Sequence, residues 1–202
     1  RVANEIISGT GIDFGEFEKM VTEKLQPASR ALSGKSIAFK TTVNSKIVKA
    51  RNVVGMIEGE KKDEFIVVGA HYDHLGKFDG WIWNGADDNA SGTVGVMTIA
   101  KAFKATGKKP EKSVIFAAWT GEEKGLWGSK YFVQEAKKKD MNVVLNLNYD
   151  MIARDVESDT LKNKASMVYT KANSGIEEIT KKNIEDFDIN LDLQYRSSDR
   201  PG

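Results

Sequence analysis

The spacing of apolar side chains along the chain predicts strands and helices in alternation. The continuous apolar run FIVVGA at 65–70 is too short for a helix and is typical of a parallel strand covered on both faces. A helical stripe follows it, beginning near Ser91 and ending at Gly107. The same order then repeats, with a strand at 113–119, a helix at 126–139 and a strand at 143–149. This alternation predicts an α/β sandwich.

Weaker patterns flank this region on both sides. Residues 14–25 have the apolar spacing of an amphipathic helix, with Asp13 and Glu16 resembling a capping box. Residues 36–58 are rich in Val, Ile and Thr, which indicates two extended segments that pair near an edge of the sheet. After the last strong strand we expect a short strand near 167–170, a further helix, and one more strand at 191–196.

Composition narrows the kinds of partner and of site. The 202 residues include 30 Lys and Arg against 29 Asp and Glu, and a net charge of +1 provides no broad field for nucleic acid or an anionic membrane. The chain has no cysteine, which excludes disulfides, thiolate metal ligands and a Cys nucleophile. No apolar run reaches the roughly 18 residues of a membrane span. Any metal must therefore be held by His and carboxylates.

Polar side chains gather at the predicted carboxyl ends of the strands, where open α/β sheets bind ligands. Six carboxylates crowded at one edge repel one another unless divalent cations compensate them, and zinc accepts both imidazole nitrogen and carboxylate oxygen. Two zinc ions about 3.5–4 Å apart also need a shared carboxylate. The candidates are His71, Asp73, His74, Asp87, Asp88, Glu122, Glu123 and Asp150.

The adjacent pair Glu122 and Glu123 indicates a division of labour. Successive side chains of an extended chain diverge, so one Glu can hold a metal while the other faces a water or a substrate. The free Glu would accept a proton from a metal-activated water and donate it to a leaving amine, which is metal-assisted hydrolysis. Asp73, two residues beyond His71, is placed to accept a hydrogen bond from the imidazole and fix its tautomer.

Four segments together resemble a known family: GAHYDHLG (69–76), NGADDNASG (84–92), WTGEEKGLWGS (119–129) and NYDM (148–151). In order and spacing they are similar to the co-catalytic zinc aminopeptidases of metallopeptidase family twenty-eight, which include bacterial leucyl aminopeptidases and glutamate carboxypeptidase. The resemblance implies a three-layer α/β sandwich with a mixed, mainly parallel central sheet flanked by helices. It also implies two zinc ions and peptide substrates with a free N-terminus.

Residue by residue, the resemblance assigns each role to a position of this chain. It makes His71 and Asp150 ligands of one zinc, Glu123 a ligand of the other, Asp87 the bridging ligand and Glu122 the general acid/base. The family places the residue equivalent to His74 beside the site without using it as a ligand.

This ligand set is one short. Two ions that each have three protein ligands and share one need five, and the set above provides four. The family takes the fifth from a histidine in a Ser-Asp-His stretch, whereas this chain ends in YRSSDRPG (195–202). Either Arg200 replaces that histidine, which implies a dead site, or the chain stops short of it. We favour the second, because the closing strands of the sandwich are also missing and an edge strand would be left uncovered.

We therefore expect a single peptidase domain over 1–202 that is incomplete at its C-terminal end, with 1–50 as a lead-in segment and 51–202 as the catalytic core. In larger relatives the lead-in follows a protease-associated domain. The chain alone is expected to bind less than two equivalents of zinc and to have little or no peptidase activity. Because such proteins are typically exported, we expect a periplasmic or extracellular location.

Other readings stay open. The chain could be a catalytically inactive relative that acts as a binding or receptor module, although the retention of Glu122 argues against this. It could also be a single-zinc acyltransferase resembling glutaminyl cyclases, although the bridge in NGADDNASG favours two metals. Trp81 and Trp83 either form a small hydrophobic cluster over their loop or a wall of the substrate pocket.

Overall fold

The computed structural model, which describes residues 2–155, 159–173 and 175–199, divides into two units at 1–48 and 49–202. The first unit contains the helices α1 (Val2–Ile7) and α2 (Phe14–Lys24). The carboxylate of Asp13 accepts a hydrogen bond from the backbone N–H of Glu16 at 2.8 Å and so caps α2. The predicted helix is confirmed.

Residues 25–48 contain no helix and no strand. The extended segment expected in the first part of 36–58 is therefore a wrong prediction. Lys, Ser and Asn interrupt the apolar positions there, and the side chains of 39–48 are exposed. Without an apolar face to bury, β-branched residues alone do not hold a strand in a sheet.

A four-stranded sheet is the centre of the second unit. Its strands lie in the order β1 (Val53–Ile57), β5 (Lys112–Trp119), β2 (Lys61–His71) and β6 (Asn142–Asn148). Its middle strands run parallel, since β2 is parallel to both β5 and β6, while β1 is antiparallel to β5 at the edge. The predicted mixed, mainly parallel sheet is confirmed. The other strands of the unit are β3 (Gly76–Phe78), β4 (Trp81–Trp83), β7 (Lys164–Thr170) and β8 (Asp192–Ser198).

Helices cover both faces of this sheet. Alternate side chains of a strand point to opposite faces, and in β2 Val68 packs in an apolar cluster with Val96 of α3 (Gly92–Ala105). Val67, the next residue along the strand, packs in a second cluster with Phe132 of α4 (Trp127–Lys138). The expected flanked sheet is thus present, and its buried strands end at the site described below.

The chain continues after β6 into a second, smaller sheet. Strands β7 and β8 are parallel and are joined through α5 (Gly175–Asp186), as the alternating pattern predicts. Within the described ranges, no helix is both long enough and apolar enough to span a membrane.

Gly92 lies where α3 meets the end of β6. A Cβ atom at this position would overlap the backbone carbonyl of Tyr149 and the side-chain oxygen of Asn89. We expect Gly92→Ala to lower the free energy of unfolding by about 1–3 kcal/mol, measured by urea denaturation. Gly95→Ala on the same helix is the matched control, because its Cβ would meet only the end of the flexible Ile152 side chain, at 3.0 Å. An equal loss in the control would contradict the argument.

Candidate functional site

The parallel strands bring the predicted polar residues to one edge of the sheet. His71 ends β2 and pairs in register with Trp119, which ends β5, and Gly69 pairs with Asn148 at the end of β6. The strands β2 and β5 therefore end level with one another, and β6 ends opposite Gly69, two residues before the end of β2. The loops that follow β5 and β6 carry the pair Glu122 and Glu123 and the single residue Asp150.

The imidazole of His71 is buried among carboxylates. Its Nε2 atom is 3.2 Å from Oδ1 of Asp88, 3.5 Å from Oδ2 of Asp150 and 4.0 Å from Oε2 of Glu122. Its Nδ1 atom lies 3.0 Å from the backbone carbonyl of Asp73. A carbonyl only accepts hydrogen bonds, so in neutral His71 Nδ1 carries the proton and the Nε2 lone pair faces the carboxylates. Such an arrangement requires a cation or a proton between these atoms.

Asp73 orients His71 through its backbone, not through its carboxylate as the sequence led us to expect. Its Oδ1 atom is 3.8 Å from Nδ1 of His71, beyond hydrogen-bonding distance. The carboxylate instead accepts the backbone N–H groups of Glu122 at 3.0 Å and Glu123 at 3.3 Å. One side chain therefore holds the backbone of both glutamates beside His71.

Two groups of three side chains are each able to hold a metal ion, and they share Asp88. The first group contains His71 and Asp150, and the second contains His74 and Glu123. Within each group the ligand atoms lie within 4.8 Å of one another. Imidazole nitrogen and carboxylate oxygen are donors that suit zinc.

Asp87, which the sequence analysis assigned as the bridging ligand, belongs to neither group. Its Oδ1 atom accepts the backbone N–H of Ala153 at 3.1 Å, and Oδ2 is buried without a hydrogen-bond partner among the described residues. The backbone of Asp88 is non-helical (φ −102°, ψ 96°) and the Asp88–Asn89 peptide bond is cis. The side chain of Asp88 lies toward His71, and that of Asp87 lies toward the loop after β6.

Asn89 is a structural residue of the site. It is 1% exposed, and its Nδ2 atom donates to the carbonyl of Tyr149 at 2.9 Å. Its Oδ1 atom accepts the backbone N–H groups of Gly92 at 2.9 Å and Met151 at 3.4 Å. Asn89 thus ties the loop that carries Asp88 to the loop that carries Asp150.

The aromatic residues between His71 and Asp87 are exposed. Trp81 and Trp83 belong to β4, which pairs with β3 in a hairpin, and they are 73% and 39% exposed. They do not form a closed hydrophobic cluster over the loop.

Glu122 and Asp150, two carboxyls beside His71, have raised pKa values. Burial raises the pKa of Glu122, and the neighbouring carboxylates raise it further, while His71 acts in the opposite direction. Burial likewise raises the pKa of Asp150, partly offset by His71. In the absence of a cation the folded chain therefore disfavours the ionised form of both groups.

These raised pKa values predict a pH-dependent penalty in the metal-free chain. A carboxyl whose pKa is higher in the folded than in the unfolded state lowers the free energy of unfolding as the pH rises. This loss begins above the pKa of the unfolded state, which is about 4. We expect the double variant Glu122→Gln/Asp150→Asn in EDTA to be more stable than the native chain, with a difference that grows between pH of about 4 and about 7. Urea denaturation at several pH values measures this difference.

The control for this prediction has the opposite sign. A hydrogen bond from Lys61, at 2.7 Å, lowers the pKa of the exposed Glu111 carboxyl. Glu111→Gln should therefore lose stability relative to the native chain as the pH rises. A stability difference of the double variant that does not change with pH would contradict the electrostatic interpretation of the site.

Comparison with known proteins identifies the family. The model of peptidase family M28 matches residues 52–199. Leucine aminopeptidase 2 of Trichophyton rubrum is 39% identical over 102 residues, which cover 50% of this chain and 19% of that protein. A glutamate carboxypeptidase 2 homolog of Caenorhabditis elegans is 32% identical over 142 residues, covering 67% of this chain and 17% of that protein.

A solved structure is also similar to this chain. LapB from Legionella pneumophila superposes with a TM-score of 0.58 and 27% identity, over 72% of this chain and 38% of LapB. The chain spans about a fifth of the length of the curated relatives it matches. Because the family model covers most of the chain and includes every residue of the two ligand groups, this chain belongs to peptidase family M28.

Proposed function

We propose that the chain forms part of a zinc-dependent exopeptidase that removes N-terminal residues from peptides. The observation that carries the proposal is the pair of ligand groups that share one carboxylate, with Glu122 beside them and in neither. The similarity to leucine aminopeptidases supports an aminopeptidase activity. A periplasmic or extracellular location stays a prediction.

The residues present fit zinc. We assign His71 and Asp150 to one ion, Glu123 to the other, and Asp88, in place of Asp87, as the ligand that both ions share. Buried Nε2 of His71 and the carboxylate oxygens around it each offer a lone pair to a metal. No hydrogen bond is donated between these atoms. A divalent cation satisfies these donors together. Arg200, which the sequence analysis considered as a replacement for the histidine that supplies the fifth ligand, lies outside the described residues.

Glu122 is the proposed general acid/base. The zinc ions, when bound, lower the pKa of a water molecule and polarise the scissile carbonyl. Glu122 accepts the proton of that water and then donates it to the leaving amine. Its backbone is held by Asp73, and burial raises the pKa of its carboxyl, the direction needed by a group that gives and takes a proton near neutral pH.

Glu122→Gln should abolish nearly all hydrolysis and leave zinc binding intact, because the amide keeps the shape of the side chain but carries no exchangeable acid proton. We expect kcat on aminoacyl anilides to fall by roughly 10²–10⁴-fold, measured in the complete enzyme that contains this chain. Glu123→Gln is the matched control, and it should weaken one zinc site. If instead the first variant lost zinc and the second did not, the two roles would be reversed.

The choice between Asp87 and Asp88 as the shared ligand is tested by zinc titration. Asp88→Asn should weaken both zinc sites by at least about 10-fold, because its two oxygens face the two groups. Asp87→Asn keeps an oxygen for the N–H of Ala153 and should leave both affinities close to native. Isothermal titration calorimetry of the complete enzyme that contains this chain, after removal of its metal, measures both affinities. A larger loss in Asp87→Asn would restore the assignment made from the sequence.

A further inference from the structure

We propose that His74 is a positioning residue that donates a hydrogen bond from Nδ1 to Oε1 of Glu123 and thereby directs the other oxygen of this carboxylate to the metal. The inference rests on the proposed function, because it concerns the zinc ion on the Glu123 side of the site. The family resemblance assigns no such role to this position.

The distance between the two side chains identifies the interaction. Nδ1 of His74 lies 2.8 Å from Oε1 of Glu123, which is the length of a charge-assisted N–H···O hydrogen bond. Two ligands of one tetrahedral zinc, each about 2.1 Å from the ion, would be about 3.4 Å apart. Since a carboxylate only accepts hydrogen bonds, Nδ1 carries the proton and does not offer a lone pair to an ion.

The surrounding chain holds the imidazole in this position. The side chains of His74 and Glu123 are 19% and 17% exposed. Gly85 has a left-handed backbone (φ 66°), and a Cβ atom there would lie 2.8 Å from Cγ of His74. Only glycine allows the loop that carries Asp88 to approach the ring this closely. His74 is therefore packed between the two loops that supply the metal ligands.

The carboxylate of Glu123 needs a hydrogen-bond donor that holds its orientation. Its carboxylate lies in a cluster of like charges, with Asp88, Glu122 and Asp73 nearby, and repulsion favours rotamers that turn away from the site. In the hydrogen bonds of the described residues, His74 is the donor to the Glu123 carboxylate, and Asp73 accepts the Glu123 backbone N–H at 3.3 Å. The glutamate is thus fixed at both ends, and less rotamer freedom is lost when the metal binds.

Zinc titration of the complete enzyme that contains this chain, after removal of its metal, tests the proposal with two variants of one residue. His74→Ala removes the donor, whereas His74→Asn places an amide N–H close to the position of Nδ1. We expect His74→Ala to weaken by roughly 10–100-fold the zinc site that Glu123→Gln also weakens, and to leave the other site unchanged. His74→Asn should recover most of this affinity. Thermal unfolding in EDTA verifies that both variants fold.

The control variant lies in the same loop. Tyr72→Phe removes a hydrogen bond of 2.7 Å from the hydroxyl to the carbonyl of Arg51 and should leave both zinc affinities unchanged. Native affinity in His74→Ala would overturn the proposal. Equal losses in His74→Asn and His74→Ala would also overturn it, because the imidazole would then act as a ligand and not as a donor.

Failure of the proposed function has a different signature. If the complete enzyme that contains this chain binds no zinc, that function is overturned and the metal-positioning role with it. The ¹⁵N chemical shifts of the His74 ring in the metal-free chain then report on the hydrogen bond alone. A protonated Nδ1 supports the contact with Glu123, and a proton on Nε2 instead overturns it.

Discussion

The crowding of partly buried carboxylates at one edge of the sheet is the constraint that shapes this part of the molecule. Burial raises the free energy of the ionised forms of Glu122 and Asp150, and the neighbouring carboxylates raise it further. The chain compensates in part with donors, since Asp73 accepts two backbone N–H groups and Glu123 accepts one imidazole. The charge that remains is what the divalent cations of the proposed function would compensate, at the two groups where the ligand atoms converge.

The parallel sheet makes this concentration of charge possible. Because β2 lies between two parallel neighbours, three strands end at the same edge, and residues far apart in the sequence, such as His71 and Asp150, meet there. The apolar clusters on both faces hold the strands in register, so the site inherits its rigidity from the core. Asn89 and Gly92 extend this rigidity into the loops, since one ties two loops together and the other permits their close approach.

Most of the sheet and the location of the site follow from the sequence, because apolar runs report which segments are buried and each run ends in polar residues. Which of two neighbouring groups makes a given contact does not follow from the sequence. Asp87 and Asp88 have the same chemistry at adjacent positions, and only the local backbone torsions decide which one faces His71. Likewise, spacing places Asp73 near His71 but does not distinguish its carbonyl from its carboxylate. The strand predicted within 36–50 is absent, because β propensity without an apolar face to bury does not specify a strand.

The two adjacent glutamates show how environment divides roles between identical side chains. Both are anchored through their backbone by Asp73, so their difference lies in what meets each carboxylate. Glu123 receives a hydrogen bond from His74, which fixes the position of one of its oxygens. Within the described hydrogen bonds, no side-chain donor reaches the carboxylate of Glu122, and burial raises its pKa. This difference in contacts agrees with the roles proposed above, in which Glu123 holds a metal and Glu122 moves a proton.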